Sequence, residues 1–367
     1  MVRRAGAGGG RPLDGTAEGT TRAAPVRRRV TSYDVARAAG VSQSAVSRCF
    51  KPGASIAPAT RARVEAAARE LGYAPNAIAR SLITRRSDTV GVLVTRFTTR
   101  FYPDLLHHLG EELGAAGRHM LLMPLAGDHE ADGALARVLE RQVDGVVSAA
   151  GLGVAALEEC AARGVPVVLY NREPPPAAGA QRLACSVCAD HAGGMRGLVE
   201  ILGAAGLRRL AFVGGPPGAP VAGERARGFL EGTEALGLAP HAVVESDFSY
   251  AGGRAAAAAL LDARPRPDAV VCANDHLALG AMDACRFDRG LRVPEDVSVT
   301  GFDDVAEAAW PTYALTTLRQ RVRLMTRAAV GLLADRIADP GMPPERLRVQ
   351  VVLLERESAK RGPAAAA

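Results

Sequence analysis

Val30-Thr-Ser-Tyr-Asp-Val-Ala-Arg-Ala-Ala-Gly-Val-Ser-Gln-Ser-Ala-Val-Ser-Arg-Cys-Phe50 holds two helix starts and the turn between them. Thr31 can cap a first helix, Asp34 three residues on suits its positive end, and Val35, Ala36 and Ala39 make an apolar stripe. Gly40 supplies the positive φ that stops this helix and Val41 plugs the angle, while Ser42 caps a second helix over 43–50. The spacing predicts a helix-turn-helix. On the second helix Val46 and Phe50 share the inward side, leaving Gln43, Ser44, Ser47 and Arg48 outside. A glutamine can pair with adenine, an arginine with guanine, and serines with bases or phosphates, in a major groove that admits one helix. The competing reading is an ordinary solvated face; the turn signature and the local charge favour a reader.

Working outward, Pro58 opens a third helix through Val64, Ala67, Ala68 and Leu71 to a stop at Gly72. Beyond it, Asn76 can cap a short helix that exposes Arg80 and Leu82 and needs tertiary support to persist. Residues 1–29, rich in Gly, Ala, Thr and Arg, have no periodic apolar face and are expected to be a disordered basic tail. Residues 1–87 carry sixteen Arg or Lys against five Asp or Glu, a net +11, which leaves −5 for the other 280 residues of a chain at +6. Concentrated cations on an acidic body suit counterion release from nucleic acid.

At 367 residues, 48% hydrophobic and 23% charged, the chain is long enough for two or three cores. It has no uninterrupted apolar run of about 18 residues and no signal-like leader, so a cytoplasmic protein without a membrane partner is expected. Cys49, Cys160, Cys185, Cys188, Cys272 and Cys285 are scattered through apolar runs, as reduced thiols are. Only Cys185 and Cys188 form a CxxC pair, without a second ligand pair, and the seven histidines show no metal-type spacing, so neither metal nor cofactor is expected.

From Val90 on, short β-branched runs alternate with Ala- and Leu-rich helical stretches, the pattern of parallel sheets with crossover helices. Strands are expected at 90–94, 119–124, 145–149, 166–170, 209–214, 269–273 and 297–300, which exceeds one ordinary sheet and implies two Rossmann-like halves. Ligands in such folds sit at the carboxyl ends of strands, hence in the cleft between the halves. The residues after those ends include Phe101, Tyr102, Asn171, Arg172, Arg225, Phe248, Asn274, Asp275, Asp303 and Asp304. Rings that cover C–H faces and polar forks that satisfy paired hydroxyls suit a polyhydroxylated ligand. For Asn274, Asp275 and Asp304, helix capping is an equally good reading.

The blocks Tyr33-Asp-Val-Ala, Ala39-Gly-Val-Ser, Val46-Ser-Arg, Leu71-Gly-Tyr, Pro75-Asn and Ala79-Arg-Ser-Leu82 resemble the lactose-repressor/galactose-repressor (LacI/GalR) family. Cys272-Ala-Asn-Asp-His-Leu-Ala-Leu-Gly280, Gly301-Phe-Asp-Asp304, Asp247-Phe-Ser-Tyr250 and Glu224-Arg-Ala-Arg-Gly-Phe229 are similar to its effector-pocket blocks. The resemblance implies an α/β chain with an N-terminal all-α helix-turn-helix domain and a periplasmic-binding-protein-like core of two Rossmann-like subdomains. It implies a transcriptional regulator, a homodimer on a pseudo-palindromic operator, with affinity for double-stranded DNA controlled by a sugar-like effector. Thr31, Ser42, Gln43, Ser44, Ser47, Arg48, Asn76, Arg80 and Leu82 would then meet DNA, with Leu82 wedged into the minor groove. Phe101, Tyr102, Asn171, Arg225, Phe248, Asn274 and Asp303 would meet effector. Asn171 stands where the family frequently has Asp, and Ala57 replaces a hydroxyl cap.

The expected domains are a tail at 1–29, a helix-turn-helix domain at 30–75, a hinge helix at 76–87, a sensing core at 88–357 and a disordered tail at 358–367. The first half of the core is expected at 88–190 and 319–349, the second at 191–318 and 350–357, with Leu315-Thr-Thr-Leu318 and Gln320 leading the late crossover. Trp310 could line the cleft, but packing in the core or the crossover is the favoured reading. Gly214-Gly-Pro-Pro-Gly218 lacks the Lys-Ser/Thr of a phosphate loop, and no nucleophile elbow or paired catalytic carboxylates emerge, so an enzyme is not expected. A transport binding protein would carry a leader and no reading helix. The C-terminal residues form no Leu heptad, which favours a dimer over a tail-zippered tetramer.

Overall fold

A computed structural model describes residues 30–51, 53–74, 86–95 and 101–362. The chain divides into two compact units, residues 1–77 and 78–367. In the first unit three helices follow: α1 Ser32–Ala39, α2 Gln43–Cys49 and α3 Pro58–Leu71. Thr31 and Asp34 form a reciprocal capping box, in which the Asp34 carboxylate accepts from the Thr31 N–H at 2.9 Å and Asp34 N–H donates to the Thr31 hydroxyl at 3.4 Å. Gly40 closes α1 at φ 62°, and the Val41 N–H returns to the Ala36 carbonyl at 3.0 Å. Ser42 Oγ caps α2 by accepting from Ala45 N–H at 3.3 Å.

Val35, Val46 and Val64 meet at the centre of this unit, ringed by Ala36, Ala39, Cys49, Ala67 and Ala68. Two details differ from expectation. Cys49 takes the buried position one turn after Val46, and Phe50 lies half-buried against the Tyr73 ring, 5.9 Å between centroids. Leu71 is exposed, because the stripe of α3 already ends at Ala68.

The second unit holds two six-stranded sheets. The first has the order β11-β5-β4-β3-β1-β2, all parallel: β1 Thr89–Thr95, β2 His119–Leu125, β3 Gly145–Ser148, β4 Val167–Tyr170, β5 Ala184–Ala189 and β11 Arg346–Val349. The second has the order β12-β10-β9-β8-β6-β7: β6 Leu210–Val213, β7 Ala242–Val244, β8 Ala269–Cys272, β9 Ser298–Phe302, β10 Thr316–Arg319 and β12 Val352–Leu354. β12 alone pairs antiparallel, on β10. Helices cover both faces, so β1, β3, β4, β5, β6, β8 and β9 are buried apart from Thr89, and β4, β6 and β8 read as unbroken apolar runs. They are α4 Phe101–Ala115, α5 Ala131–Leu139, α6 Val154–Ala162, α7 His191–Ala204, α8 Pro220–Ala235, α9 Tyr250–Asp262, α10 Asp275–Asp283 and α11 Val322–Ala338.

The chain crosses between the halves three times: from β5 to α7, from β10 to α11 and from β11 to β12. Arg319 still pairs with Val352 in the second sheet, so that crossover falls at Gln320. The expected tail boundary at 358 also moves. Ser358 and Ala359 are buried, with Ser358 Oγ donating to the Val299 carbonyl at 2.6 Å and accepting from Thr316 N–H at 2.8 Å, because β9 and β10 have edge groups to satisfy there. Trp310 is 51% exposed and packs in neither cleft nor core. No helix among the described residues is long and apolar enough to cross a membrane.

Ala57 leaves the first turn of α3 without a side-chain cap. Ala57→Ser is expected to stabilise the first unit by about 0.5–2 kcal/mol and to slow amide exchange at Thr60 in the full chain. Unchanged exchange there would contradict the cap argument.

Candidate functional site: a reading face and a cleft

In the first unit Ser44, Ser47 and Arg48 are exposed on one side of α2, as Ala45, Val46 and Cys49 take the other. Gln43 is half-buried and its amide donates to Ser32 Oγ at 3.4 Å. Arg61, on α3, donates to the Cys49 carbonyl at 2.8 Å and so pins the C-terminal end of α2. Thr31 and Ser42 spend their hydroxyls as caps. Asn76, Arg80 and Leu82 lie outside the described residues.

The second unit has a cleft of about 710 Å³, its open mouth included, between the two sheets. Tyr102, Asn171, Arg225, Phe248, Asn274 and Asp303, expected from sequence, come together there. Phe101 begins α4, but its side chain lies outside the described residues. Thr95, Arg172 and Gln320 also line the cleft. Of these, Arg172 stood among the residues after strand ends and Gln320 just after the Leu315–Leu318 crossover block; Thr95 had no such signal.

The polar residues form a closed ring. Asn171 Nδ2 donates to Gln320 Oε1 at 2.8 Å, and Gln320 Nε2 donates to Asp303 Oδ1 at 2.8 Å. Arg225 reaches the same Asp303 oxygen at 2.8 Å, the Ala273 carbonyl at 2.6 Å and, through Nε, His191 Nδ1 at 3.3 Å. His191 Nε2 returns to Asn171 Oδ1 at 3.2 Å, and that oxygen also accepts from Ala189 N–H at 2.9 Å. Arg225 Nε can only donate, so Nδ1 is the acceptor and Nε2 carries the proton; the imidazole is neutral. The ring joins both halves and two of the three crossovers. At the third, Gln350 Nε2 donates to Asp190 Oδ2 at 3.0 Å.

Local structure makes these positions. Gly228, one turn after Arg225, lies where a Cβ would fall inside the Ala192 backbone, so α8 packs close on α7 and brings Arg225 to His191. The Arg225 guanidinium also stacks 3.7 Å from the Phe302 ring centroid, a cation–π contact strengthened by burial. Asn171, Phe248 and Asp303 have positive φ of 50°, 66° and 114°, backbone states rare for such residues and concentrated at functional sites. Asn274 serves twice: it caps α10 through Leu277 N–H at 2.9 Å and holds the Phe248 carbonyl at 3.2 Å.

Other acids are committed elsewhere. Asp275 is buried, accepting from the Thr317 hydroxyl and Val305 N–H, and burial followed by the Asp303 charge pushes its carboxyl well above the usual range. Asp304 pairs with Arg356 at 2.7 Å. Cys185 and Cys188 sit on β5, and burial pushes the Cys188 thiol up to about 12, which makes it a poor ligand or nucleophile. Contrary to the spacing argument, His107, His108 and Glu111 do gather on α4, their ligand atoms within 4.8 Å of one another.

Burial, then the charges of Arg225, Arg348 and Arg172, hold the His191 pKa well below 6.5. A depressed histidine pKa contributes stability that is present above 6.5 and lost as pH falls below it. The thermal stability of the core is therefore expected to fall as pH drops from 7 to 5, and His191→Gln, which keeps an acceptor and a donor, is expected to flatten that component. An identical pH profile in the variant would remove His191 from the account.

Comparison with known proteins places both units. Residues 31–76 match the model of bacterial regulatory proteins of the lacI family, and residues 199–359 match the periplasmic binding protein-like domain. The chain is similar to the HTH-type transcriptional regulator CelR of Thermobifida fusca, 36% identical over 354 residues that span 90% of this chain and 99% of that one. It also resembles the crystal structure of the Lac repressor dimer bound to operator and the anti-inducer ONPF, with TM-score 0.82 at 28% identity over 90% of this chain and 99% of that one. The transcriptional regulator CelR–cellobiose complex matches with TM-score 0.67 at 33% identity, covering 90% of this chain and 100% of that one. These family models lie on the helix-turn-helix unit and the cleft-bearing core. The chain belongs to the LacI family of bacterial regulatory proteins.

Proposed function

We propose that this transcriptional regulator binds a pseudo-palindromic operator as a homodimer and that a small sugar-like effector in the cleft changes its affinity for that DNA. The observation that carries this reading is the ring: one set of hydrogen bonds lines the cleft and crosses between both halves. A ligand that replaces part of it meets both halves at once. Such a ligand shifts conformation only through unequal affinity for the two states. The CelR relative in complex with cellobiose, and the Lac repressor dimer bound to operator, support the sugar class and the DNA-bound dimer.

On the DNA side, Gln43, Ser44, Ser47 and Arg48 are the proposed readers. Thr31 and Ser42 fix where the two helices begin. Asn76, Arg80 and Leu82 enter by family resemblance alone, as the hinge helix and its minor-groove wedge. A DNA-binding regulator works where the DNA is, and we place it in the cytoplasm. We further propose that the cleft returns its ligand unchanged, since Asp303, the carboxylate lining it, is already bonded to Arg225 and Gln320.

The test is titration of the full chain on labelled duplex from the region upstream of its own gene, against random duplex, with and without a panel of sugars. At least one sugar is expected to shift operator affinity; a panel that never does so would remove allosteric sensing. Arg48→Ala is expected to lose about 1–3 kcal/mol on the preferred duplex with relaxed base preference. Equal loss on preferred and random DNA would take Arg48 out of the reading set.

A further inference from the structure

The charges that line the cleft do not balance. Among the described residues that line it, Arg172 and Arg225 bring two guanidiniums and Asp303 the one carboxylate. Asp303 is held by Arg225 and Gln320. His191 is neutral by its hydrogen bonds, and Asn171 is neutral by identity. The ring needs Asn171 to be an amide, because a carboxylate could accept from Ala189 and His191 but could not also donate to Gln320 Oε1.

Arg172 therefore faces the cleft with Asp128 as its ion-pair partner and one N–H unsatisfied. One terminal nitrogen donates to the carbonyl of Asn171 at 3.0 Å. Its Nε is buried and has no hydrogen-bond acceptor among the described residues. The nearest carboxylate, Asp128 Oδ2, stands 3.6 Å from Nε, beyond hydrogen-bonding range, on a side chain 41% exposed. Buried donors are normally satisfied, and an unmade bond here points to an absent acceptor. A guanidinium edge is a planar fork that matches two oxygens of a carboxylate or phosphate.

We propose that the effector carries an acidic group, a carboxylate or phosphate on a polyhydroxylated ring, and that Arg172 receives it. The proposal rests on the ligand-binding reading of the cleft given above. The acid group takes the Nε edge and displaces the loose Asp128 pair, while the ring hydroxyls exchange with bonds of the Asn171–Gln320–Asp303–Arg225 set. The shared chemistry is the anion; sugar acids and sugar phosphates are its two sources.

The experiment is isothermal titration of the full chain with matched pairs: glucuronate against glucose, galacturonate against galactose, glucose 6-phosphate against glucose and ribose 5-phosphate against ribose, at two salt concentrations. At least one acidic member is expected to bind tenfold or more tightly than its neutral partner, with the margin shrinking as salt rises; which pair shows it identifies carboxylate or phosphate. Arg172→Gln is expected to erase that margin while keeping the wild-type melting temperature, and Arg172→Lys to keep part of it. Neutral sugars binding as well as their acidic partners, or a margin that survives Arg172→Gln, overturn the proposal and leave the sugar-cleft reading standing. Failure of every member of every pair to bind overturns both.

Discussion

The hydrogen-bonded ring of Asn171, Gln320, Asp303, Arg225 and His191 is the constraint on which the sensing core depends. Four of its members are less than a tenth exposed, and Asp303 nearly so, in an environment where an unmade polar contact is expensive. Each member has one arrangement that satisfies its neighbours. Asn171 must offer its amide to Gln320, Gln320 must then offer its own to Asp303, and Arg225 must find an unprotonated nitrogen on His191. Motion of one half against the other therefore has to break or exchange these bonds together. Concerted exchange of this kind favours discrete arrangements over a continuum, which is what a ligand-operated switch requires.

The helix-turn-helix unit obeys a different constraint. Its core is small, built on three valines and a few alanines, so its geometry leans on local devices: the Thr31–Asp34 box, the left-handed Gly40, the Ser42 cap and the Arg61 bond to the end of α2. These fix the reading helix while leaving Ser44, Ser47 and Arg48 to solvent. Side chains on a rigidly placed helix can specify bases, whereas the wider positive charge of residues 1–87 contributes attraction without sequence preference.

Much of this was legible in the sequence, and for reasons that can be named. Caps and a 3.6-residue apolar period marked α1 to α3. Strands β1, β3 and β4 announced themselves as valine-rich runs. The strand β5, Ala-Cys-Ser-Val-Cys-Ala, did not, since small residues carry little strand preference and gain their place from burial between β4 and β11. The short β7, β10, β11 and β12 are set by pairing that no local pattern encodes. Within the cleft, residues after strand ends were legible because an α/β sheet puts them there. His191 was not: a lone histidine at a helix start has no distinguishing pattern, and its role comes from partners 20 and 34 positions away.

The most direct measurement of the ring's standing is a double-mutant cycle on Asn171→Ala and Arg225→Ala, one in each half of the core, read by denaturant unfolding of the full chain. If the ring acts as one unit, the two losses are non-additive by about 0.5–3 kcal/mol. Losses that add to within about 0.5 kcal/mol would mean that the two halves hold their polar residues independently, and the account of a shared switch would be wrong.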